Sequence, residues 1–597
     1  MVAITKKRLE QLRTLMKGNK ISAYIIPSDD PHQSEYVAPR WKSREWISGF
    51  TGSAGTVVVT ATEAGLWTDG RYFLQAEEQL KDSTITLFKM GLPETVSYKD
   101  WIASKIGKKG VVSFDASVMS VRSVEEMKEF FAPKNISVQP GDDLIGKIWK
   151  DRPAFPNQRV TLYPEEFSGK STADKLADLR AEMKKNGVDY HLFAALDDIA
   201  WLYNIRGKDI ECNPVAMCFA LVGKNTAELF IKKSKLTKKD TTELGKQGIT
   251  IKEYDKIYEA LKAIPSGKVF LDPDRVSQSL LEAVSKKAKT VYGTNMTQIM
   301  KAIKNECEIN NIKEAHRIDG IAMVKFLYWL DTTIGREEIT EISASDKLEE
   351  IRKEVGGDNF VGLSFETISG YGKHGAIIHY SATPETNATL KPEGLYLVDS
   401  GAQYLYGTTD ITRTVALGHL TEEMKRNFTL VLKGHIRLGM VQFPQGFTTG
   451  GHIDAIARMA LWQHGLNYNH GTGHGVGAYL NVHEGPMSIS PRGTTTKIVP
   501  GMVISNEPGY YEPEKYGIRI ENLVLSVPRE ETQWGKFVGF ENLTLCPIDR
   551  RAINVMFLDY DEVAYLDEYH KHVYEMLAPS LTKEEAEWLK DMTRPLV

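Results

Sequence analysis

GLYLVDSGAQYLYGTTDITRTVA, residues 394–416, consists of two apolar, β-forming runs joined by a short polar centre. Leu395, Leu397 and Val398 on one arm, and Val415 and Ala416 on the other, mark both as buried strands, so the stretch reads as an antiparallel hairpin. A second strand pair is written at 501–507 with 517–526. Around these hairpins lie helical patterns. A long one starts near Ile309 with Ile312, Ala315, Ile318, Ala322, Phe326 and Leu330 on one face; others cover 345–355, 422–438 and 453–464. The last begins after Gly450-Gly451 and stops at Gly465. Helices alternating with antiparallel hairpins predict an α+β domain and not a doubly wound parallel sheet.

The first hairpin carries Asp399 and Asp410, symmetric about Tyr404/Leu405. A tight turn there places them directly opposite, with Cβ atoms about 4.5–5.5 Å apart, a spacing that suits one metal ion or a close pair. Either aspartate alone is equally well read as a turn or cap residue. Together, in buried strands, they need a cation or protonation, because unpaired buried carboxylates are costly. Glu507 and Glu521 repeat the device around a loop centred on Glu514, again among apolar runs. Between the hairpins lies HGTGHGVGAYLNVHEGP (470–486), in which three histidines and five glycines fall within seventeen positions, His474 among them. Two Asp, two Glu and one His form an oxygen-rich donor set without thiolate. Such a set favours Mn²⁺, Co²⁺, Fe²⁺ or a catalytic Zn²⁺ over a structural zinc, and four carboxylates balance two divalent ions.

Upstream, the chain repeats itself. RLEQLRTLMKGNKISAYIIP (8–27) aligns with KLADLRAEMKKNGVDYHLFA (175–194), matching Leu9 with Leu176, Leu12 with Leu179, Arg13 with Arg180 and Met16 with Met183. Each copy is a helix followed by a strand, then Asp-Asp (29–30 and 197–198) and a tryptophan (Trp46, Trp201). This order predicts a duplicated α/β domain. Pro153, Pro156 and Pro164 mark a linker, and strand-like AELFI (227–231) and KVFLD (268–272) belong to the second copy. The expected division is 1–152, 153–302 and 303–597, with a C-terminal extension from about residue 541 that holds a strand and polar helices.

With 597 residues, 42% hydrophobic, 25% charged and a net charge of -4, the composition is that of an ordinary multidomain globular protein. No basic stripe points to nucleic acid and no polybasic tail or long apolar run points to a membrane. The N-terminus lacks the apolar stretch of a signal peptide, and four cysteines without paired spacing read as free thiols, so the expected compartment is the cytoplasm.

VDSGAQYLYGTTDITRT, HGTGHGVGAYLNVHEGP, SNEPGYY and GIRIEN resemble, in order and spacing, the dinuclear metallopeptidases of the pita-bread fold. GFTGSAGTVVV (49–59), TDGRYFLQA (68–76) and the overall length make the chain similar to the aminopeptidase P (Xaa-Pro aminopeptidase) family in its long three-domain form. The resemblance implies a pita-bread catalytic domain preceded by two creatinase-N-terminal-like domains, and a homodimer. It also implies two divalent ions, Mn²⁺ first, on Asp399, Asp410, His474, Glu507 and Glu521. In that pattern Asp399 chelates one ion, Asp410 and Glu521 bridge, and His474 with Glu507 completes the other. His379, His470 and His483 match substrate-site positions, whereas His316, His374, His435, His452 and His464 read as structural.

The expected reaction is release of the N-terminal residue from short peptides with proline second, by attack of a metal-bridging hydroxide. Glu507 would carry the proton, His379 and His483 would donate hydrogen bonds to substrate and oxyanion, and His470 would shape the proline pocket. Three rival readings are weighed, one of them a creatinase-like metal-free hydrolase, against which the intact carboxylate set argues. Prolidase, the Xaa-Pro dipeptidase, shares the ligand set but usually has one N-terminal domain. A catalytically silent pita-bread peptide-binding module is expected to lose ligands, and none is lost here.

Overall fold

The computed structural model describes residues 2–597. The chain divides into two compact units; the first runs to Thr297, except for Pro164–Gly169 and Cys212–Pro214, which belong with the second.

Two six-stranded sheets of one topology make up the first unit. In one, Ala23–Ile26 is central, antiparallel to Thr56–Thr60 and parallel to Val111–Asp115. Ala64–Thr68 and Thr86–Lys89 extend one side, and Ser137–Gly141 closes the other. In the second sheet Tyr190–Phe193 holds the central place, antiparallel to Cys218–Gly223 and parallel to Gly267–Leu271. Ala227–Ile231, Thr250–Lys252 and Ala288–Tyr292 follow in the corresponding places and senses. The preceding helices, Val2–Gly18 and Thr172–Lys185, bury the aligned Leu9, Leu12, Met16 and Leu176, Leu179, Met183. The aligned arginines also act alike. Arg13 Nε donates to Thr60 O (3.0 Å) and Arg180 Nε to Gly223 O (3.2 Å), each closing the last carbonyl of the antiparallel neighbour.

The second unit opens with the helix Glu306–Thr333, started by a capping box in which Asn305 and Glu308 satisfy each other's backbone N–H. Its face Ile312, Ala315, Ile318, Ala322, Phe326 and Leu330 is buried. The other predicted helices are Glu341–Gly356, Glu422–Met440 and Gly450–Trp462. The last differs from expectation in starting at the two glycines, with Thr449 as N-cap. Gly450 is needed because a Cβ there would meet Ser488 O at 1.8 Å.

Both hairpins are more broken than the sequence predicts. Leu395–Ser400 pairs with Ile411–Ala416 in one three-stranded sheet, whereas Ala402–Tyr404 and Gly407–Thr408 pair in another. The switch is at Gly401, where a Cβ would lie 2.1 Å from Thr409 O. Val503–Asn506 pairs with Asn522–Thr532 in a six-stranded sheet, and Gly509–Glu512 with Tyr516–Arg519 separately, in one continuous register that puts Glu507 opposite Glu521. The strand expected in the C-terminal extension lies mostly before it, at Gly535–Asn542; 543–549 forms no helix or strand, and the helices Tyr560–Leu577 and Lys583–Met592 follow. The four cysteines are free. Among the described residues no helix is long and apolar enough to cross a membrane.

Candidate metal centre

Five side chains converge where the two hairpins meet. Asp399 is in the strand Leu395–Ser400 and His474 in Gly473–Gly475, while Asp410, Glu507 and Glu521 sit one residue outside a strand end. The sheets are stitched there by Glu521 N donating to Thr412 O at 3.1 Å and by Thr414 Oγ donating to Arg519 O at 2.9 Å. Gly473 lets the histidine strand approach, since a Cβ would stand 1.9 Å from Ser505 O. Ser505 Oγ accepts from His474 N (2.9 Å) and donates to Glu507 Oε1 (3.1 Å), tying two of the five together.

One expected detail is corrected. Asp399 does not face Asp410; it faces Thr412, because the closing pair of the tight turn is Tyr404 with Gly407. The turn therefore centres on Leu405-Tyr406, one residue later than the sequence symmetry suggests. Asp410 falls two positions along the partner arm, and so remains on the same face as Asp399.

Ligand atoms of Asp410, His474 and Glu521 all lie within 4.8 Å of one another. His474 Nε2 is 3.5 Å from Asp410 Oδ2 and 3.4 Å from Glu507 Oε1. Thr412 Oγ donates to Glu521 Oε2 (2.7 Å), and Arg519 Nη2 donates to Asp399 Oδ2 (2.6 Å). The remaining oxygens, Asp399 Oδ1 and Glu521 Oε1, are buried without a hydrogen-bond partner. Such atoms are costly unless something positive sits on them. The electrostatics agree. Burial, with repulsion from Asp410, Glu507 and Asp399, pushes Glu521 well above the ordinary carboxylate range. Burial also raises Asp399 against the pull of Arg519, and raises Glu507 against that of His474. Burial by itself lowers His474, yet Asp410 and Glu507 outweigh it and hold the imidazole up at about 9. Crowded, desolvated carboxylates around one imidazole fit a divalent cation.

The three substrate-site histidines are placed differently. The His483 ring stands edge-on to His474, with centroids 4.4 Å apart at 89°. His470 has both nitrogens engaged, Nδ1 2.8 Å from Gly471 O and Nε2 2.8 Å from Tyr511 Oη; burial lowers its pKa to about 3, so it is neutral. His379 follows Ile378, whose carbonyl is 3.5 Å from Arg519 Nη2. Of the structural histidines, His316 Nδ1 lies 2.8 Å from Ile312 O and His435 Nδ1 lies 3.1 Å from Asn506 O.

Three functional neighbours escape the sequence reading. Arg519, 2% exposed, binds Asp399 and also donates to Tyr511 Oη (2.7 Å) and Thr412 Oγ (3.2 Å). Tyr511 thereby links Arg519 to His470. Fully buried Glu341 receives Tyr371 N, Tyr380 Oη and Ala388 N, with His374 Nδ1 2.8 Å away, and so anchors the stretch 371–380 that carries His379. The available signal was an arginine inside an apolar strand, which is rare without a buried counter-charge.

Comparison with known proteins agrees with this geometry. Residues 310–527 match metallopeptidase family M24, and 536–596 match the C-terminal region of that family. Residues 8–148 and 151–308 each match a creatinase/prolidase N-terminal domain. Xaa-Pro aminopeptidase 1 of Dictyostelium discoideum is 42% identical, covering 100% of this chain and 97% of its own. The chain belongs to metallopeptidase family M24, among the Xaa-Pro aminopeptidases. A solved family member, the X-prolyl aminopeptidase of Caenorhabditis elegans, described as a cytosolic enzyme with a di-nuclear active site, superposes with a TM-score of 0.95. It is 34% identical over 99% of both chains. Xaa-Pro dipeptidase from Bacillus anthracis is similar over only 64% of this chain, with 26% identity and a TM-score of 0.51. The family's two N-terminal domains account for the duplicated sheets.

Proposed function

We propose that this chain is a metal-dependent aminopeptidase that releases the N-terminal residue from short peptides with proline in second position. The observation that carries the reading is the cluster of Asp410, His474 and Glu521, with Glu507 beside it and unpartnered buried oxygens on Asp399 and Glu521. Asp399, Asp410, His474, Glu507 and Glu521 would hold two divalent ions, Mn²⁺ by preference. When bound, such ions supply an acidified water and polarise a carbonyl.

The protein's own groups do the rest. Glu507, held by Ser505 Oγ, is the assigned proton carrier between the nucleophilic water and the departing prolyl nitrogen. His379 and His483 are assigned as hydrogen-bond donors to substrate and developing oxyanion. His470 spends both nitrogens on the protein and so offers a neutral ring, which suits the apolar face of a proline. Proline lacks an N–H, so its pocket requires no amide acceptor. The division 1–152, 153–302 and 303–597, the homodimeric assembly and the cytoplasmic location belong to the same proposal.

Asp410→Asn or Glu521→Gln should lower bound Mn²⁺ and abolish hydrolysis in a folded protein; near wild-type turnover in either would sink the assignment. An Xaa-Pro-Xaa tripeptide should be cleaved well and an Xaa-Pro dipeptide poorly. The reverse preference would make the chain a prolidase.

A further inference from the structure

Behind the carboxylates lies a second buried cation. Arg413 is 2% exposed and donates six hydrogen bonds, none of them to a carboxylate. Two go to carbonyls on the two strands that meet at the proposed metal centre: Nη1 to Thr412 O (3.0 Å) and to Glu521 O (2.6 Å). Thr412 O also takes Glu521 N, so the guanidinium closes over the stitch that fixes Glu521 two residues from Asp410. Three others go to the C-terminal extension: Nε to Pro547 O (3.0 Å), and Nη2 to Cys546 O (2.8 Å) and Tyr569 Oη (3.1 Å). Nη2 also reaches Asn522 Oδ1 (2.8 Å).

The extension is shaped for this. Its residues 542–548 are held against the Glu521 arm by Asn522 Nδ2 donating to Asn542 Oδ1 (3.0 Å) and Leu523 N donating to Thr544 Oγ (2.8 Å). On the other side Ile548 N donates to His570 Nε2 (3.1 Å), and Tyr569 Oη lies 2.9 Å from both Thr544 O and Cys546 O. A guanidinium has five N–H donors in a rigid fork, and burying it without a carboxylate is expensive unless every donor is met. Cys546, Pro547 and Tyr569 provide three of the six acceptors that make this position tolerable.

We infer that the C-terminal extension serves the metal centre as the acceptor cage of Arg413, and that Arg413 and Tyr569 are positioning residues that set the spacing of Asp410 and Glu521. Arg413 touches neither substrate nor any of the five ligand side chains; it acts through the backbone carbonyls of Thr412 and Glu521. The inference rests on the metal-centre reading above.

The test uses the full chain, stripped with chelator and titrated with Mn²⁺ by calorimetry, comparing wild type, Arg413→Lys, Tyr569→Phe and Asp410→Asn. Thermal unfolding of each metal-free protein is recorded alongside. Arg413→Lys and Tyr569→Phe should bind Mn²⁺ at least tenfold more weakly than wild type, with hydrolysis largely restored at saturating Mn²⁺. Folded variants with wild-type Mn²⁺ affinity, even with a lowered melting temperature, would reduce the cage to plain structure and overturn the inference. If Arg413→Lys does not fold, Tyr569→Phe decides. A wild-type protein that takes up no more Mn²⁺ than Asp410→Asn would instead overturn the metal-centre reading, and the inference with it.

Discussion

Replacing Arg519 by lysine keeps the charge and removes the fork. In the folded protein the guanidinium serves Asp399 Oδ2 (2.6 Å), Tyr511 Oη (2.7 Å) and Thr412 Oγ (3.2 Å) at once. One ammonium on a flexible stem has no planar fork with which to hold all three. If the lysine keeps Asp399, the bonds to Tyr511 and Thr412 are lost at about 1 kcal/mol each, and the remaining ion pair is poorer than the original. The sum is about 2–3 kcal/mol, or roughly 30- to 150-fold in kcat/KM if the misplacement is felt fully in the transition state. Arg519→Met should be worse, because Asp399 is then buried without its counter-charge, at a cost of about 3–5 kcal/mol. Tyr511→Phe separates the two arms: it leaves Asp399 paired and cuts the link to His470, so it should lose about tenfold alone and add little to Arg519→Lys. The assay is release of the N-terminal residue from an Xaa-Pro-Xaa peptide at saturating Mn²⁺, with circular dichroism to confirm folding. An Arg519→Lys enzyme within about twofold of wild type would refute the reasoning.

Glu341→Gln should weaken the anchor of the His379 stretch. With four donors on one carboxylate, an amide turns its NH₂ toward some of them, costing about 2–4 kcal/mol, and kinetics should show a raised KM together with a lowered kcat. Gly473→Ala should abolish activity, since the added carbon meets a backbone carbonyl and the histidine strand must move away; metal content measured on the folded fraction checks this. His32 concerns stability, not catalysis. Burial holds its folded pKa down at about 3 against an ordinary 6.5, so the unfolded chain takes up the proton first. Stability is therefore lost as pH falls below 6.5, by up to about 1.4 kcal/mol per pH unit. Buried Asp30, raised to about 6, pulls the other way at lower pH, so the measurement is the difference between wild type and His32→Asn in urea unfolding at pH 7 and pH 5. The variant should lose less on acidification.

The ligand-bearing hairpins were legible because carboxylates in apolar strands break the ordinary pattern. The register was legible in one and not in the other. Glu507 and Glu521 flank a loop whose pairing is symmetric about Glu514, and an unbroken register carries that symmetry through both short ladders. In the other hairpin the register also runs unbroken through both ladders, but the positions of Asp399 and Asp410 about Tyr404/Leu405 were a poor guide to it, because the turn closed by the Tyr404–Gly407 pair centres one residue later. The duplication was visible in helix faces and one arginine, and the strand order then followed in both copies. Arg519 and Arg413 were not picked out. Each lies on the same arm as a ligand, but Asp399 and Thr412, which meet Arg519, come from the other hairpin, and three of the partners of Arg413 come from the C-terminal extension, which no local pattern brings near.

The cluster formed by Asp410, His474 and Glu521 also changes what the chain is as a polymer. These residues come from three separate stretches with a helix pair and a glycine-rich loop between them, and no disulfide ties those stretches. A cation shared among them would act as a reversible staple, closing long loops as a cystine does and taking entropy from the unfolded chain. Chelation would then cut the staple as well as stop the chemistry, and the catalytic unit stripped of metal should be more open to proteolysis between its two hairpins than the loaded enzyme.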